Sequence, residues 1–287
     1  METLVRCDLC GGGEFRLYDD HAGIDRCIRC GYLFDNPRPT TQEIIAYYSR
    51  TDNYGGWLQE EKERDELWKR RLKKMRPYMK TGALLDVSTG TGQFLHNARP
   101  YFDHIEGTEV SKIAIEIARQ KYRLAIKKGQ FEDIPFQRPF DTITMFHVLE
   151  HVPYPRRVIS KCRDLLHANG MLFIAVPNDV DSIRTRAKTF LKSTGLRKSE
   201  RGRLMLPRIA LDGSVHEIHL SHFSNKVIDQ LLTSEGFAIV DHSLDPYFVS
   251  SGMTRLKNTL YYYSHLLLNR LTGLNWYDTI WITAKKR

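Results

Sequence analysis

The chain has 287 residues, 41% of them apolar, and 43 Lys and Arg against 34 Asp and Glu give it a formal net charge of +9. That is enough apolar material for one large α/β core plus a small appendage. No stretch reaches the roughly 18 apolar residues of a membrane span, and METLVRCDLC lacks the apolar segment of a signal peptide, so a cytoplasmic protein is expected.

Five cysteines in such a chain read as metal ligands or free thiols, not disulfides. Four are arranged as Cys7-x2-Cys10 and Cys27-x2-Cys30 with sixteen residues between the pairs, the spacing of a zinc ribbon with two metal knuckles. Gly11 and Gly31 directly follow the second cysteine of each pair and let the chain fold tightly around thiolates. Four thiolates fill a tetrahedral Zn2+, leaving no open position, so residues 1–36 should recognise or brace and not react. Cys162, among Val158, Ile159, Leu165 and Leu166, reads as a core thiol. Residues 37–80 read as a helical linker. In it NPRPTTQEIIAYYS gives a turn and a short helix, and Gln59 to Lys80 a longer one with Leu67, Trp68, Leu72 and Met75 on its apolar side. Its surplus of Lys and Arg reads as a solvated face.

From residue 81 to 287 strands and helices alternate. Strands are expected at Ala83–Val87, His104–Glu109, Leu124–Lys128, Thr142–Phe146, Met171–Val176, Phe237–Asp241 and Thr279–Ala284. Helices are expected at Gln93–Ala98, Lys112–Lys121, Arg156–His167 and Asn225–Ser234. This predicts a doubly wound α/β fold, a mostly parallel seven-stranded sheet with helices on both faces. Within it, LLDVSTGTGQF (84–94) is an apolar strand that leaves Asp86 near its carboxyl end and breaks into glycines. Gly90 and Gly92 permit a sharp turn and close approach to a ligand, and the following helix offers free N–H groups to the same crevice. The next strand ends in Glu109, a carboxylate suited to both hydroxyls of a ribose.

With these motifs the chain resembles the class I S-adenosylmethionine-dependent methyltransferases, whose Rossmann-like core begins with an acid, any residue and three alternating glycines. Asp86, Gly90 and Gly92 match, while Ser88 stands at the first glycine position. The resemblance assigns Asp86 to the amino-acid end of S-adenosylmethionine, Ser88, Gly90 and Gly92 to close backbone contact, and Glu109 to the ribose. Phe131 and Glu132 in GQFEDIPF become adenine neighbours, with Gln130 where relatives often carry an acid. FDTITMFHVLEHVPYP (140–155) matches the strand and Leu-Glu-His turn that cover the sulfonium side, bringing in Phe146. His147, Glu150 and His151 lie just beyond that strand, where a carboxylate beside an imidazole is a reasonable general-base pair. The same family places the final strand antiparallel, next to its predecessor at the sheet edge.

Two segments lie outside the minimal core and should set the substrate. In the basic insertion 181–213, nine Lys or Arg residues between Arg184 and Arg208 face Glu200 alone, which reads as a positive loop attracting an anionic substrate. The helical insertion 246–277 contains LYYYSHLLLNRL, too short to span a bilayer yet apolar for a surface helix. It is read as a substrate-side cover, with a dimer contact or a lipid surface as alternatives. His216, His219 and His222 are not expected to form a metal site. Ser224 should cap the next helix, and His219 and His222 approach the acceptor.

The expected function is methyl transfer from S-adenosylmethionine to a small, anionic acceptor such as a sugar or nucleotide-linked sugar. Two alternatives remain at this point: an RNA methyltransferase using the ribbon for recognition, and a non-catalytic scaffold with the methyltransferase fold.

Overall fold

A computed structural model describes residues 1–50, 59–194, 202, 204, 206–215 and 217–287, the side chains of 192 and 193 excepted. The chain opens with three short antiparallel strands, β1 (Phe15–Asp19), β2 (Ile24–Cys27) and β3 (Leu33–Asp35). Helix α1 (Thr41–Tyr48) starts at a reciprocal cap: Thr40 Oγ1 accepts from the Glu43 N–H while Glu43 accepts from the Thr40 N–H. Helix α2 (Glu61–Met75) follows, then β4 (Ala83–Asp86), α3 (Gln93–Ala98), β5 (His104–Glu109), α4 (Lys112–Tyr122), β6 (Lys127–Lys128), β7 (Phe140–Phe146), α5 (Pro155–Leu165) and β8 (Leu166–Pro177). The basic insertion, expected as a loop, contains helix α6 (Ile183–Ser193). Its basic residues 197, 198, 201 and 203 lie outside the described residues, as does His216. After β9 (Ser221–His222) come α7 (Asn225–Ser234), β10 (Phe237–Ser243), α8 (Gly252–Thr272) and β11 (Thr279–Lys286).

Seven strands form the main sheet in the order β10-β11-β8-β7-β4-β5-β6. Contacts from β6 to β8 are parallel, whereas β11 is antiparallel to both β8 and β10, which leaves β10 on the edge. The sheet is buried on both sides, as alternation along β8 makes plain. Leu172, Ile174 and Val176 enter a core with Val158, Cys162 and Ile228, while Met171, Phe173 and Ala175 enter another with Leu67, Phe94 and Trp281. Because the chain leaves β4 towards β5 and later returns to its other side as β7, a crevice opens at the carboxyl ends of these two strands.

Gly92 serves that packing. At φ 80° it precedes α3, and a Cβ there would lie 2.8 Å from Leu124 Cδ1 and 3.0 Å from Ala118 Cβ. Its missing side chain lets α3 and α4 approach, a packing role beside the cofactor contact that the resemblance assigns to it.

The first sheet is not separate from the core. Strand β9 completes it as a fourth strand, pairing Leu33 with His222 and Phe34 with Ser221. Buried His222 is held at 2.8 Å by Asp35 and at 3.1 Å by Asp179. Burial disfavours its charge, but hydrogen bonds to the two carboxylates outweigh that and raise its pKa to about 9. His222 is therefore a bracket between ribbon and core. Arg38, also buried, donates to the Pro153 carbonyl at 2.5 Å and so ties the linker to the turn after β7.

The ribbon's own organising group is the cysteine cluster. Sγ atoms of Cys7 and Cys30 lie 3.6 Å apart and those of Cys10 and Cys27 3.5 Å apart, far beyond a disulfide bond. Zinc–sulfur bonds of about 2.3 Å in a tetrahedron require sulfurs separated by about 3.8 Å. Gly11 and Gly31, at φ 72° and 80°, donate to the carbonyls of Cys7 and Cys27 and turn each knuckle. These four thiols fit a structural zinc. Elemental analysis should find one zinc per chain, and a strong chelator should speed amide exchange across β1–β3 and β9 while sparing β4–β8. Unchanged exchange in metal-free protein would count against the zinc.

Candidate active site

Beyond β4 the Val87 N–H still pairs with the Thr144 carbonyl at 2.9 Å, and then the chain turns. Ser88 at φ 55° and Gly90 at φ 57° are both left-handed. That twist aims three successive N–H groups at β5: Ser88 to Thr108 Oγ1 at 3.2 Å, Thr89 to the Thr108 carbonyl at 2.9 Å and Gly90 to Glu109 Oε2 at 2.9 Å. Glycine adopts such a conformation freely, whereas an L-residue is strained by about 1–2 kcal/mol. Ser88 carries that strain where the resembling family has glycine.

Glu109 is fully committed on one side. Its Oε1 accepts from the Val110 N–H at 2.8 Å and the Ser111 N–H at 3.0 Å, while Oε2 accepts from Gly90 alone. A carboxylate offers about four lone-pair sites, so one remains, on Oε2. This modifies the expectation that both oxygens serve a ribose diol. Burial raises the pKa of Glu109, opposed by its three backbone donors.

Asp86 lies behind the loop, buried and absent from the cavity wall, with Thr144 Oγ1 donating to it at 2.6 Å. Burial pushes it up to about 7. Asp86, which the resemblance assigns to the cofactor's amino-acid end, thus does not line the cavity. Its position is that of a brace between β4 and β7.

A cavity of about 230 Å³ runs from Ser88 and Gly90 past Glu109, Phe131 and Glu132 to Phe146, His147 and His151. A second, of about 470 Å³, shares His147, Glu217 and Tyr247 with it and continues to His219, Arg184 and Tyr261. His147 is left-handed, at φ 55°, at the carboxyl end of β7. Its Nε2 faces Asp245 at 3.3 Å and its Nδ1 lies 3.3 Å from Glu150 Oε1. Burial opposes a charge on His147, but its hydrogen bond to Asp245 and the nearby Glu150 carboxylate prevail and raise its pKa.

Glu150 is 1% exposed and lines neither cavity, and neither of its carboxylate oxygens is hydrogen-bonded among the described residues. It stands behind His147 and His151, which line the cavity where it does not. His151 Nδ1 lies 2.7 Å from the Ile218 carbonyl, which can only accept, so that nitrogen carries the hydrogen. Nε2 is left with a lone pair, 3.8 Å from Glu150 Oε1. Burial lowers the His151 pKa, which keeps the ring neutral near pH 7. His219 closes the group, its ring 4.9 Å from that of His151. Ligand atoms of Glu150, His151 and His219 lie within 4.8 Å of one another, compact enough for a small cation or a polar group of a substrate.

Sequence reasoning missed the roof of this site. Arg64, Trp68 and Arg71 of α2 and Tyr48 of α1 line the first cavity. Arg71 is 1% exposed, not on a solvated face, and grips Asp245 through Nε at 2.9 Å and Nη2 at 2.5 Å. Its guanidinium also lies 4.9 Å from the Trp68 ring and 4.7 Å from the Phe146 ring. A usable signal existed: Arg64, Trp68 and Arg71 recur at helical spacing on the side carrying Leu67 and Leu72.

Comparison with known proteins agrees with this architecture. A family model described as a methyltransferase domain matches residues 60–242. Over 105 residues the chain is 35% identical to a mitochondrial ubiquinone biosynthesis O-methyltransferase of Candida albicans, covering 33% of this chain and 32% of that one. Over 118 residues it is 30% identical to a demethylmenaquinone methyltransferase of Thermotoga maritima, covering 38% and 50%. The chain thus spans half or less of these two relatives. Among solved structures, magnesium protoporphyrin IX methyltransferase from Synechocystis superposes with a TM-score of 0.54 at 12% identity, covering 86% of this chain and all of that one. A SAM-dependent methyltransferase from Archaeoglobus fulgidus gives 0.51 at 20% identity, covering 81% and all of it. At such identities the superpositions speak for the fold.

Three substitutions test the geometry. Asp245→Ala strands a buried guanidinium and should cost about 3–5 kcal/mol in urea unfolding, with the His147 titration by NMR moving to lower pH. Ser88→Gly should be more stable than the native chain by up to about 1 kcal/mol, whereas Ser88→Val should lose about 1–3 kcal/mol; equal stabilities would refute the strain at this position.

Proposed function

Because the chain belongs to the methyltransferase-domain family, we propose that it transfers a methyl group from S-adenosylmethionine to a hydroxyl of a small acceptor that carries an anionic group. The observation that carries this reading is one continuous cavity with a nucleoside-like cradle at one end and a neutral, oriented imidazole at the other. Ser88 and Gly90 would face the cofactor's backbone-side edge, Oε2 of Glu109 one ribose hydroxyl, and Phe131 and Glu132 the adenine. Phe146 would bound the sulfonium side. When bound, S-adenosylmethionine supplies an electrophilic methyl on a positively charged sulfur.

The chain's own contribution is placement and proton handling, since much of the rate in such a transfer comes from holding the reactants in attack geometry. His151 Nε2 accepts the proton from the acceptor hydroxyl. Its new N–H then lies near Glu150, whose negative charge stabilises the imidazolium, making Glu150 a positioning residue. His147, anchored by Asp245, orients the same carboxylate. An oxygen acceptor is supported by the relatives named as O-methyltransferases. Support for an anionic group comes from Lys188 on the wall of the second cavity, which has no ion pair among the described residues. A cavity entered between two helices also favours a small acceptor over an RNA duplex.

Calorimetry should detect S-adenosylmethionine binding, and its absence would leave the scaffold reading. With methyl-tritiated cofactor and a small-molecule extract, label transfer should rise with pH through an apparent pKa below 6.5 and stay level above it, because only neutral His151 accepts a proton. Glu150→Gln should slow transfer about 10- to 100-fold and move that rise to still lower pH, since the carboxylate raises the His151 pKa, with cofactor affinity unchanged. A slowed enzyme with an unmoved profile would argue against this role.

A further inference from the structure

Helix α8 is anchored on one side only. Tyr262 and Asn269 are its buried residues, and Tyr262 packs against Phe248 and Tyr277. On the opposite side Met253, Leu256, Leu260, Tyr263, Leu267 and Leu271 are 53–76% exposed. At 3.6 residues per turn these six fall within an arc of about 80°, forming a straight apolar stripe roughly 27 Å long. By the same arithmetic Lys257 borders the stripe on one side and Arg270 on the other, and both are exposed.

Helix α6 meets α8 through Arg184. The Arg184 guanidinium is 4.2 Å from the Tyr261 ring centre and pairs with Asp278 at 2.7 Å. Residues 182–194 and 252–277 together contain seven Lys or Arg and no Asp or Glu. Arg184, Arg186 and Arg255 pair with carboxylates outside these segments, while Lys188, Lys257 and Arg270 have no ion pair among the described residues. The second cavity opens between the two helices, with Arg184 and Lys188 on one wall and Asn258 and Tyr261 on the other, and its inner end reaches His147 and His219.

We propose that α6 and α8 form a docking face for an anionic phospholipid surface, and that the acceptor is an amphiphile entering from that surface through the cavity between them. The second half of this inference rests on the methyl-transfer reading. An apolar stripe bordered by cations is the pattern of a helix lying in a membrane interface, with its apolar side among acyl chains and Lys and Arg among headgroups. Spanning is not required of it, since no helix among the described residues is long and apolar enough to cross a membrane. Charge decides against a second copy of this chain as the occupant. Two such faces related by a twofold axis would add the unpaired Lys188, Lys257 and Arg270 of one copy to those of the other, while the nearby carboxylates of Asp181, Asp278 and Glu66 are already paired with Arg186, Arg184 and Arg255; anionic headgroups supply the missing partners. An amphiphile held in the bilayer would present only its polar head to the cavity, consistent with a polar inner end at His147 and His219 and an aromatic mouth at Tyr261.

Flotation of the full, zinc-loaded chain with vesicles tests this directly. Vesicles of phosphatidylcholine with 30% phosphatidylglycerol, on the order of what interfacial helices require, should carry the protein up, and pure phosphatidylcholine should bind it at least about tenfold more weakly. The Lys257→Glu/Arg270→Glu pair and the Leu260→Glu/Leu267→Glu pair should each reduce binding to the mixed vesicles at least about tenfold. Both variants should keep native S-adenosylmethionine affinity by calorimetry, so a failure of docking is distinguishable from a failure of the methyl-transfer reading. Equal binding by native and variant chains, or no flotation with either vesicle, would overturn the proposal. So would a dimer in sedimentation that Leu260→Glu/Leu267→Glu dissolves, because the face would then belong to a second copy.

Discussion

The site depends on one buried ion pair. Arg71 comes from a helix that precedes the main sheet, and Asp245 from the segment just after β10, yet they meet in bidentate geometry with both side chains out of water. Moving two charges out of water costs several kcal/mol each, and attraction returns that only when geometry is good and remaining hydrogen-bonding capacity is met. Here the fork geometry is complete, the flat guanidinium face lies against Trp68 and Phe146, and Asp245 has a second partner in His147. The pair therefore fixes the roof helix, the edge of the sheet and the orientation of one imidazole together. Asp245 stays ionised despite burial because Arg71 holds its pKa down to about 2.

Backbone strain is concentrated at the same crevice. Ser88 and His147, two of the four non-glycine residues with positive φ among the described residues, follow the adjacent strands β4 and β7. Each turns the chain abruptly as it leaves the sheet, which brings main-chain groups and an imidazole to the cavity wall where a relaxed strand would have continued past it. Such a conformation persists only when surroundings over-determine it. Three N–H contacts to β5 do so for Ser88, while the Ala175 carbonyl, Asp245 and Glu150 do so for His147.

The ribbon contributes through attachment. Its sheet is completed by β9, and the segment just before β9 carries Ile218 and His219, so the strand pairing that seats the ribbon also places the carbonyl that orients His151. Asp35 from the ribbon and Asp179 from the loop after β8 hold His222 between them. A cysteine cluster outside the main sheet in this way bears on the orientation of His151 at a cavity built by that sheet.

Much of the architecture was legible because it is local. Helices Gln93–Ala98 and Asn225–Ser234 and strand His104–Glu109 have the boundaries their periodicity and caps predict, and the four cysteines whose spacing suggested a knuckle do come together in one cluster. Glycine position along LLDVSTGTGQF likewise marked the loop, because a chain turn is written within a few residues of where it occurs. What the linear pattern left undecided were partnerships across the chain: Arg71 with Asp245, 174 residues apart, or His222 with Asp35, 187 apart. A lysine- and arginine-rich helix reads as solvated, and an acid after an apolar strand reads as a ligand. Only folding decides whether an arginine finds a buried carboxylate, or whether Asp86 ends behind a loop while Glu109 ends in front of it. Hydrophobic period and turn chemistry are local properties of the polymer, whereas desolvation and pairing of charges depend on which segments the finished sheet brings within a few ångströms.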